Sequence, residues 1–266
     1  MKQMIIHAGG LRMKSIDDFR SLEDPTKLSK DHFPIRHDLF FDLCQGALVP
    51  KGWKINWQQF CLHQDAKKRK DNAFALWGLE SEGTEESRIL GCRNSNTKDF
   101  SAQLGAGQHV TVCDNLLFSA EVVVGRKHTK NIKRDLPRLV TNAMGKVSDH
   151  FVNQERRTEA FKNTFMLRGD VNHVMMECMK ANHIPPSQMM HWVKEWEEPA
   201  HEEFTDRSAW SLQNSFTEVA KRWSFGDMQR RTRGFTGVMD TMVKVDLIDT
   251  SLTEGVEDAE VITNRL

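Results

Sequence analysis

A dense run of positive charge between Gly125 and Arg138 is the part of the sequence best suited to bind an anion. Asp135 is the only acidic residue within it. The pattern changes there from strand to helix, and Thr129 or Asn131 is a suitable N-cap, so free N–H groups and the positive end of the helix dipole would point the same way as the cations. The run therefore predicts a phosphate site whose contacts are Arg126, Lys127, Lys130, Lys133 and Arg134.

Polar residues around this run complete the predicted site. We expect the helix start to be shaped by His128, Thr129 and Asn131, and we assign three residues in or next to the preceding strands to the same surface: Arg93, Asn94 and Asn115. Two further basic clusters, Lys67 to Lys70 between strands and Arg230 to Arg233 after the last predicted helix, extend the surface if they share its face. Charge runs are also typical of ordinary solvated surfaces.

The residues of most hydrolytic and covalent mechanisms are missing. A phosphate-binding P-loop would need glycine at Val140, ahead of Gly145-Lys146, and a zinc-protease helix starting at His201 would need histidine at Thr205. No Gly-x-Ser-x-Gly nucleophile elbow occurs, and the chain has no tyrosine, which excludes recombinases and topoisomerases that form a phosphotyrosine link. We therefore expect no enzyme, no cofactor and no metal.

Two catalytic interpretations stay open as alternatives. Cys113 with His109 or His128 forms a thiolate–imidazole pair if the side chains meet, although a buried strand cysteine beside surface histidines fits the same residues. An unfamiliar metal-dependent nuclease would use Asp114, His128 and Glu202.

Aromatic residues are frequent in the predicted sheet, and the bases of a single strand stack on exposed rings for about 1–3 kcal/mol each. Most of these rings are expected in the core, but one or two exposed beside the basic turn would suffice. They are Trp53, Trp57, Phe60, Phe74, Trp77, Phe100 and Phe118.

The elements that position these residues are a helix, an antiparallel meander and a long helix. Apolar spacing predicts a helix from Arg36 to Leu48, which Pro50 and Gly52 end. Alternation predicts strands at Trp53 to His63, Ala73 to Leu79, Arg88 to Arg93, Gln108 to Cys113 and Leu116 to Val124. Beyond Thr129, apolar residues recur every three or four positions as far as Phe151, which predicts the longest helix.

The second half is predicted to be mostly helical, with helices at Val171 to Asn182, Ser187 to Trp196 and Thr205 to Trp223. The fold class is α+β: an antiparallel meander sheet packed on a long helix, followed by a mostly helical C-terminal half. We divide the chain into an N-terminal arm (1–35), an α+β core with the basic helix start (36–165), a helical part (166–245) and an acidic tail (246–266).

Composition limits where the protein acts and what it binds. The formal net charge of the 266 residues is zero, so any polyanion site must be a local patch. The five cysteines are scattered without a Cys-x-x-Cys pair, which argues against a disulfide framework and a zinc knuckle. No apolar run approaches the roughly 20 residues of a membrane helix. We expect a cytoplasmic protein with no membrane partner.

Several motifs resemble the phage- and plasmid-associated family catalogued as domain of unknown function 932. The motifs are the residue runs 93–96, 107–115 and 126–132 in the first half, and 195–196, 199–204 and 210–218 in the second. The resemblance covers roughly Arg36 to Asp240. One departure is the stretch 100–104, where many relatives have a tyrosine nearer the serine. The resemblance implies a mobile-element context, and therefore the cytoplasm of a host cell, without fixing an activity.

A looser similarity concerns the order of elements. A helix ending in Gly-Trp, then antiparallel strands, then a long helix with a basic start is similar to the phage single-strand annealing recombinases. That similarity implies a homo-oligomer that holds single-stranded DNA between sheet and helix without nucleotide hydrolysis, on fold analogy alone. The leading hypothesis is thus a non-catalytic DNA-binding protein. The alternative is a protein-binding module that acts on a host defence protein through a surface around Trp192, Trp196 and Trp210.

Overall fold

A computed structural model describes residues 11–65, 70–80, 86–110, 115–126, 130–223 and 225–248 of the chain. Its centre is a six-stranded sheet in which every strand pairs antiparallel with the next along the chain, so the strand order is β1 to β6. The strands are β1 (Leu11–Met13), β2 (Ile55–Asp65), β3 (Lys70–Leu79), β4 (Glu86–Ser95), β5 (Ala102–Val110) and β6 (Asn115–Arg126). The predicted meander is confirmed.

Seven helices surround the sheet in the described part of the chain. They are α1 (Ile16–Arg20), α2 (His37–Gly46), α3 (Ile132–Lys162), α4 (Arg168–Lys180), α5 (Met189–Glu197), α6 (Ala209–Ala220) and α7 (Phe225–Val243). Ser15 and Ser208 begin α1 and α6, because each side chain accepts a hydrogen bond from a backbone N–H of the first turn. The predicted α+β class, with the helices mostly in the C-terminal half, is confirmed.

One face of the sheet packs on α1, α2 and the first part of α3. Alternate strand residues such as Phe60, Trp77 and Leu104 point to this side, where they meet Phe41 of α2 and Val140 of α3. The opposite face carries a smaller set of strand residues, Cys61, Phe74, Leu76 and Ile89, and the C-terminal helices cover it. The sheet is therefore buried on both sides, and α3 is long enough to contribute to both cores: Leu136 lies in the first and Phe161 in the second.

Helix α6 is the most buried of the C-terminal helices. All of its residues except Glu218 are buried, and four of the polar ones, Ser211, Asn214, Ser215 and Thr217, form side-chain hydrogen bonds within the helix or to a neighbour. The Asn214 amide donates to the Trp210 carbonyl oxygen at 2.9 Å, and the indole N–H of Trp192 donates to the Ser215 hydroxyl at 3.0 Å. These bonds explain how a helix with so many polar residues can lie in a core.

Two elements differ from the sequence prediction. The N-terminal arm supplies strand β1 and helix α1, and its Ile35 is buried against the sheet. The cluster Arg230 to Arg233 does not follow the last helix but lies inside α7, which the sequence did not predict. None of the described helices is long and apolar enough to span a membrane.

Candidate nucleic-acid interface

The start of α3 lies at the end of the sheet where β4 ends and β5 begins. Arg93 of β4 pairs with Gln103 of β5, and Ala102 of β5 pairs with Arg126, the last residue of β6. The chain leaves β6 at Arg126 and enters α3 six residues later. The connectivity therefore brings the basic helix start and the end of β4 to one edge of the molecule, as the predicted site requires.

Four exposed cations lie at the start of α3, and we call them the basic stripe: Lys130 just before the N-cap, and Lys133, Arg134 and Arg138 on the first two turns. At about 100° per residue the three helical cations fall within an arc of roughly 140°. From Lys133 to Arg138 the helix rises about 7.5 Å at 1.5 Å per residue. Duplex DNA advances about 3.4 Å per nucleotide of one strand, so this rise matches about two nucleotide steps, and Lys130 extends the stripe beyond it.

Acidic neighbours neutralise little of the stripe. Arg134 donates from Nε to Asp135 Oδ1 at 2.9 Å, and its side chain is still 74% exposed. Within the described part of the chain, Lys130, Lys133 and Arg138 form no ion pair. Three exposed cations are therefore available to an anionic ligand, with a fourth shared.

Asn131 occupies the N-cap position of α3, as predicted for Thr129 or Asn131. Its side chain is exposed and makes no capping hydrogen bond to the first turn. Its carbonyl oxygen accepts the first intrahelical bond, from the Asp135 N–H at 3.0 Å. The N–H groups of the first turn thus point toward the same edge as the stripe with no cap from Asn131, and they favour negative charge there.

Part of the predicted site lies outside the described residues. Lys127, His128 and Thr129 are not among them, and Arg126 and Asn115 are described only by their backbone in β6. Their assignment to a phosphate site stays a prediction.

Arg93 and Asn94 are described, and neither lies on an open surface. The Arg93 guanidinium sits over the Phe100 ring, 4.8 Å from its centroid, and donates to Gln103 Oε1. Asn94 is fully buried, with 0% of its surface exposed. Its side-chain amide donates to the Ile35 carbonyl oxygen at 3.0 Å and to His37 Nδ1 at 2.9 Å. Asn94 therefore has no surface to offer a nucleic acid in this fold.

Asn94 belongs to a polar cluster that the sequence did not predict. It consists of buried His37, Asn94 and Asn96 with half-buried Asp71, and we call it the buried polar cluster. His37 Nε2 lies 3.1 Å from Asp71 Oδ1, and the Asn96 amide donates to Asp71 Oδ2 at 3.0 Å. Ile35 closes the cluster, because its backbone N–H donates to Asn96 Oδ1 at 3.1 Å. Since Asn94 donates to Nδ1, His37 must carry its proton on Nε2 and donate it to Asp71.

The buried polar cluster has the shape of a catalytic dyad but not its accessibility. Both ring nitrogens of His37 are engaged, and the ring is 4% exposed, so neither nitrogen can take a proton from a substrate. The adjacent cleft has a cavity volume of only about 10 Å³, room for about one water molecule and far below the roughly 300–1,000 Å³ of ligand sites. We interpret the cluster as structural: its hydrogen bonds hold the N-terminal arm and α2 against the sheet.

The aromatic rings expected to stack on bases are mostly internal. Phe60, Phe74 and Trp77 are buried, while Trp53, Trp57 and Phe100 are half-buried and packed against the cores. The side chain of Phe118 is outside the described residues. The described rings offer no exposed stacking platform beside the stripe.

The tryptophans of the alternative protein-binding surface are mostly internal. Trp192 and Trp210 are buried, and half-buried Trp196 carries the Arg207 guanidinium 5.0 Å from its ring centroid, so these tryptophans do not form an exposed protein-binding surface.

The residues of the alternative nuclease site are only partly described. Glu202 is exposed in a short 3₁₀ turn, but its proposed nuclease partners Asp114 and His128 are outside the described residues. Among the described residues, no three histidine, cysteine or acidic side chains are grouped to hold a metal.

The thiol and basic-cluster predictions are also largely untested. Cys113 is not described, and the described cysteines, Cys44, Cys61, Cys92 and Cys178, are buried and outside any disulfide. Burial raises the pKa of Cys178 to about 12, which makes it a poor nucleophile. Of the basic clusters, residues 67–69 are not described, and Arg231 stacks on Trp223 and donates to the Asn182 carbonyl oxygen at 3.1 Å.

Comparison with known proteins identifies no relative: no family model, no curated protein and no solved structure matches this chain. The resemblance to the family of unknown function 932 and the similarity to annealing recombinases therefore stay predictions.

Proposed function

We propose that this protein binds the phosphate backbone of single-stranded DNA without catalysing a reaction, through the basic stripe of α3. The observation that carries the proposal is the combination of four exposed cations with a helix start whose N-cap residue, Asn131, makes no side-chain capping bond in the described part of the chain. Cations and helix N-termini are the groups that proteins use to hold phosphates. The preference for a single strand comes from the similarity to annealing recombinases.

The chain as a whole is neutral, so such binding has to be local. Phosphate contacts of this kind carry no sequence information. Four neutralised phosphates on a single strand would give a slope of about −3 for the logarithm of affinity against the logarithm of salt concentration. We therefore propose weak, sequence-independent and salt-sensitive binding, which assembly of several copies would strengthen.

The decisive test is charge reversal on the stripe. Lys133→Glu with Arg138→Glu should weaken binding to a labelled single strand by at least about 10-fold at low salt and should flatten the salt dependence, because phosphate contacts are lost. Fluorescence anisotropy titrations at two salt concentrations measure both effects.

The matched control is Lys194→Glu with Arg222→Glu, which makes the same change in net charge at exposed positions far along the chain. It should leave affinity nearly unchanged. Equal weakening by both double variants would show that only overall charge matters, and no binding by the parent protein at low salt would refute the proposal.

The homo-oligomer is a separate part of the proposal. Light scattering with and without a single strand should give a mass that is a multiple of the monomer. A monomer under both conditions would remove the analogy with annealing recombinases while leaving phosphate binding to be judged by the titrations.

A further inference from the structure

Two cysteine side chains meet in the core on the face of the sheet that packs on α1 and α2. Cys44 of α2 and Cys92 of β4 are 0% and 1% exposed and belong to the same apolar cluster. Their thiols are hydrogen-bonding neighbours. The two residues are almost fifty positions apart in the chain, so the contact joins two separate elements.

The packing of α2 along β4 explains why these two thiols meet. His37 and Cys44 are seven residues apart, so they lie on the same side of α2, two turns apart. Asn94 and Cys92 are two residues apart and point to the same face of β4. The Asn94 amide donates to His37 Nδ1 at 2.9 Å, which fixes the start of α2 over β4 and places Cys44 over Cys92 further along both elements.

The closed fold disfavours reaction of these thiols. Burial, followed by the hydrogen bond and charge of Cys44, raises the pKa of the Cys92 thiol well above its usual range. The thiolate is the form that attacks an oxidant, and a buried thiol meets none. Oxidation therefore requires a local opening in which α2 moves away from β4.

We propose that Cys44 and Cys92 form a redox lock, in which a peroxide oxidises the two thiols to a disulfide that ties α2 to the sheet. One Sγ attacks an oxygen of hydrogen peroxide and becomes a sulfenic acid, and the other oxygen leaves as water. The second Sγ then attacks the sulfenic sulfur, and a second water leaves with the proton of that thiol. Hydrogen peroxide thus takes up two electrons and two protons and ends as two water molecules.

The redox lock acts on an element that is already held at its other end. His37 fastens the start of α2 through Asn94, and the disulfide fastens the region of Cys44 to the same strand. A cross-link between residues so far apart in sequence restricts the unfolded chain, which should raise the midpoint of thermal unfolding by about 10 °C. In a reducing compartment the pair rests as two thiols, so the lock closes under oxidation and reopens by thiol exchange.

Peptide mapping of the full-length protein tests the redox lock directly. Native protein is treated with hydrogen peroxide, alkylated, digested and analysed by mass spectrometry. It should give a peptide pair that joins Cys44 to Cys92 and is two hydrogen atoms lighter than the separate thiol peptides, and dithiothreitol should release it. Protein oxidised in urea should give mixed pairings, because the fold no longer selects the partners.

Thermal unfolding tests the effect of the disulfide. The oxidised parent protein should unfold about 10 °C above the reduced protein. Cys44→Ala and Cys92→Ala should each abolish this gain. The matched control is Cys178→Ala, which removes an equally buried thiol from the core on the other face of the sheet and should keep the gain.

Three results would each overturn the redox lock. They are a native oxidised protein without the Cys44–Cys92 peptide, a peptide that forms only in urea, and an unchanged midpoint of unfolding after the disulfide has formed. If either alanine variant fails to fold, the peptide map and the midpoint of the parent protein still decide the question. Neither measurement uses nucleic acid, so the redox lock and the proposed function are judged separately.

Discussion

Two polar regions at the same end of the sheet use similar residues in opposite ways. The buried polar cluster places an imidazole and two amides in the interior beside a half-buried carboxylate, and each of these side chains bonds to a partner in the fold. The basic stripe places four cations on the outside at the start of α3, where only Arg134 has an acidic partner among the described residues.

The contrast between the two regions shows that burial, and not residue type, determines what a polar side chain does in this protein. A buried polar group must bond internally, because leaving it unsatisfied costs about 1–3 kcal/mol. An exposed cation gains little from any internal partner and stays available to a ligand. Variants of the buried groups should therefore change stability, and variants of the exposed groups should change binding.

The largest effect is expected where a buried charge loses its partner. Arg157 of α3 and Asp240 of α7 form a two-point ion pair, with Nε–Oδ1 and Nη2–Oδ2 distances of 2.8 Å, and their side chains are only 10% and 18% exposed. Asp240→Asn should lower the free energy of unfolding by about 3–5 kcal/mol, because Arg157 stays buried without a counter-charge. Urea titration followed by tryptophan fluorescence measures it.

The control for this variant is an ion pair between two exposed side chains. Glu177 pairs with Lys180 at 2.9 Å on the surface of α4, and Glu177→Gln should cost less than about 1 kcal/mol. Similar losses in the two variants would contradict the contrast between buried and exposed charge.

A smaller loss is expected in the buried polar cluster. Asn94→Ala removes the donor to the Ile35 carbonyl oxygen and to His37 Nδ1, so it should cost about 2–3 kcal/mol of unfolding free energy. Asn142→Ala, at an exposed position on α3, should be neutral or slightly stabilising. Asn94→Ala protein that is folded should bind a single strand as tightly as the parent protein does. A loss of binding in the folded variant would indicate that Asn94 belongs to the nucleic-acid interface.

His150 on α3 should make stability depend on pH. Burial lowers the pKa of its imidazole to about 4, and the charge of Arg157 acts in the same direction. In the unfolded chain histidine titrates near 6.5. The free energy of unfolding is therefore at its full value above pH 6.5. It falls as the pH drops toward 4, because in this range the unfolded chain takes up a proton that the folded His150 does not.

The expected size of this loss is about 2 kcal/mol, reduced from the full shift because the ring is partly exposed to solvent. His150→Gln should shrink the difference between the free energies of unfolding at neutral and acidic pH, both measured by urea titration, by that amount. His173→Gln, at an exposed position on α4, is the comparison. An unchanged pH profile in His150→Gln would contradict the lowered pKa.

The smallest effect on stability is expected in the basic stripe. Lys133→Gln should change the free energy of unfolding by no more than about 0.5 kcal/mol, because the side chain is exposed and has no ion-pair partner in the described chain. Thermal unfolding of this variant and of Lys194→Gln should coincide. A clear loss confined to Lys133→Gln would mean that the stripe has a structural role.

The sequence predicted the elements with strong periodicity. The long helix and the five longer strands follow from spacing and alternation, although β5 begins at Ala102 instead of near Gln108. Strand β1 was missed because three residues show no alternation. Helix α7 was missed because Thr232 and Thr236 occupy buried positions where a helical pattern would show apolar residues, and glycines interrupt the rest.

The candidate site was less predictable than the fold. The exposure of Lys133 and Arg134 follows from the helix period, since Ile132 and Leu136 on either side of them are buried. The burial of Asn94 does not, because nothing local shows that His37 and Ile35, more than fifty residues earlier, complete its hydrogen bonds. Long-range partners of polar residues are information that one sequence does not contain.

The two-sided burial of the sheet has a consequence during synthesis. The first face is covered by α2, which precedes β2, and by α3, which follows β6 directly, but the second face waits for helices that end only at Val243. At roughly 5–20 residues per second, a ribosome needs about 6–23 seconds to advance from Arg126 to Val243. During that interval Phe74, Leu76 and Ile89 belong to an apolar surface whose covering helices have not yet been synthesised. A nascent-chain chaperone is therefore expected to bind this face of the sheet.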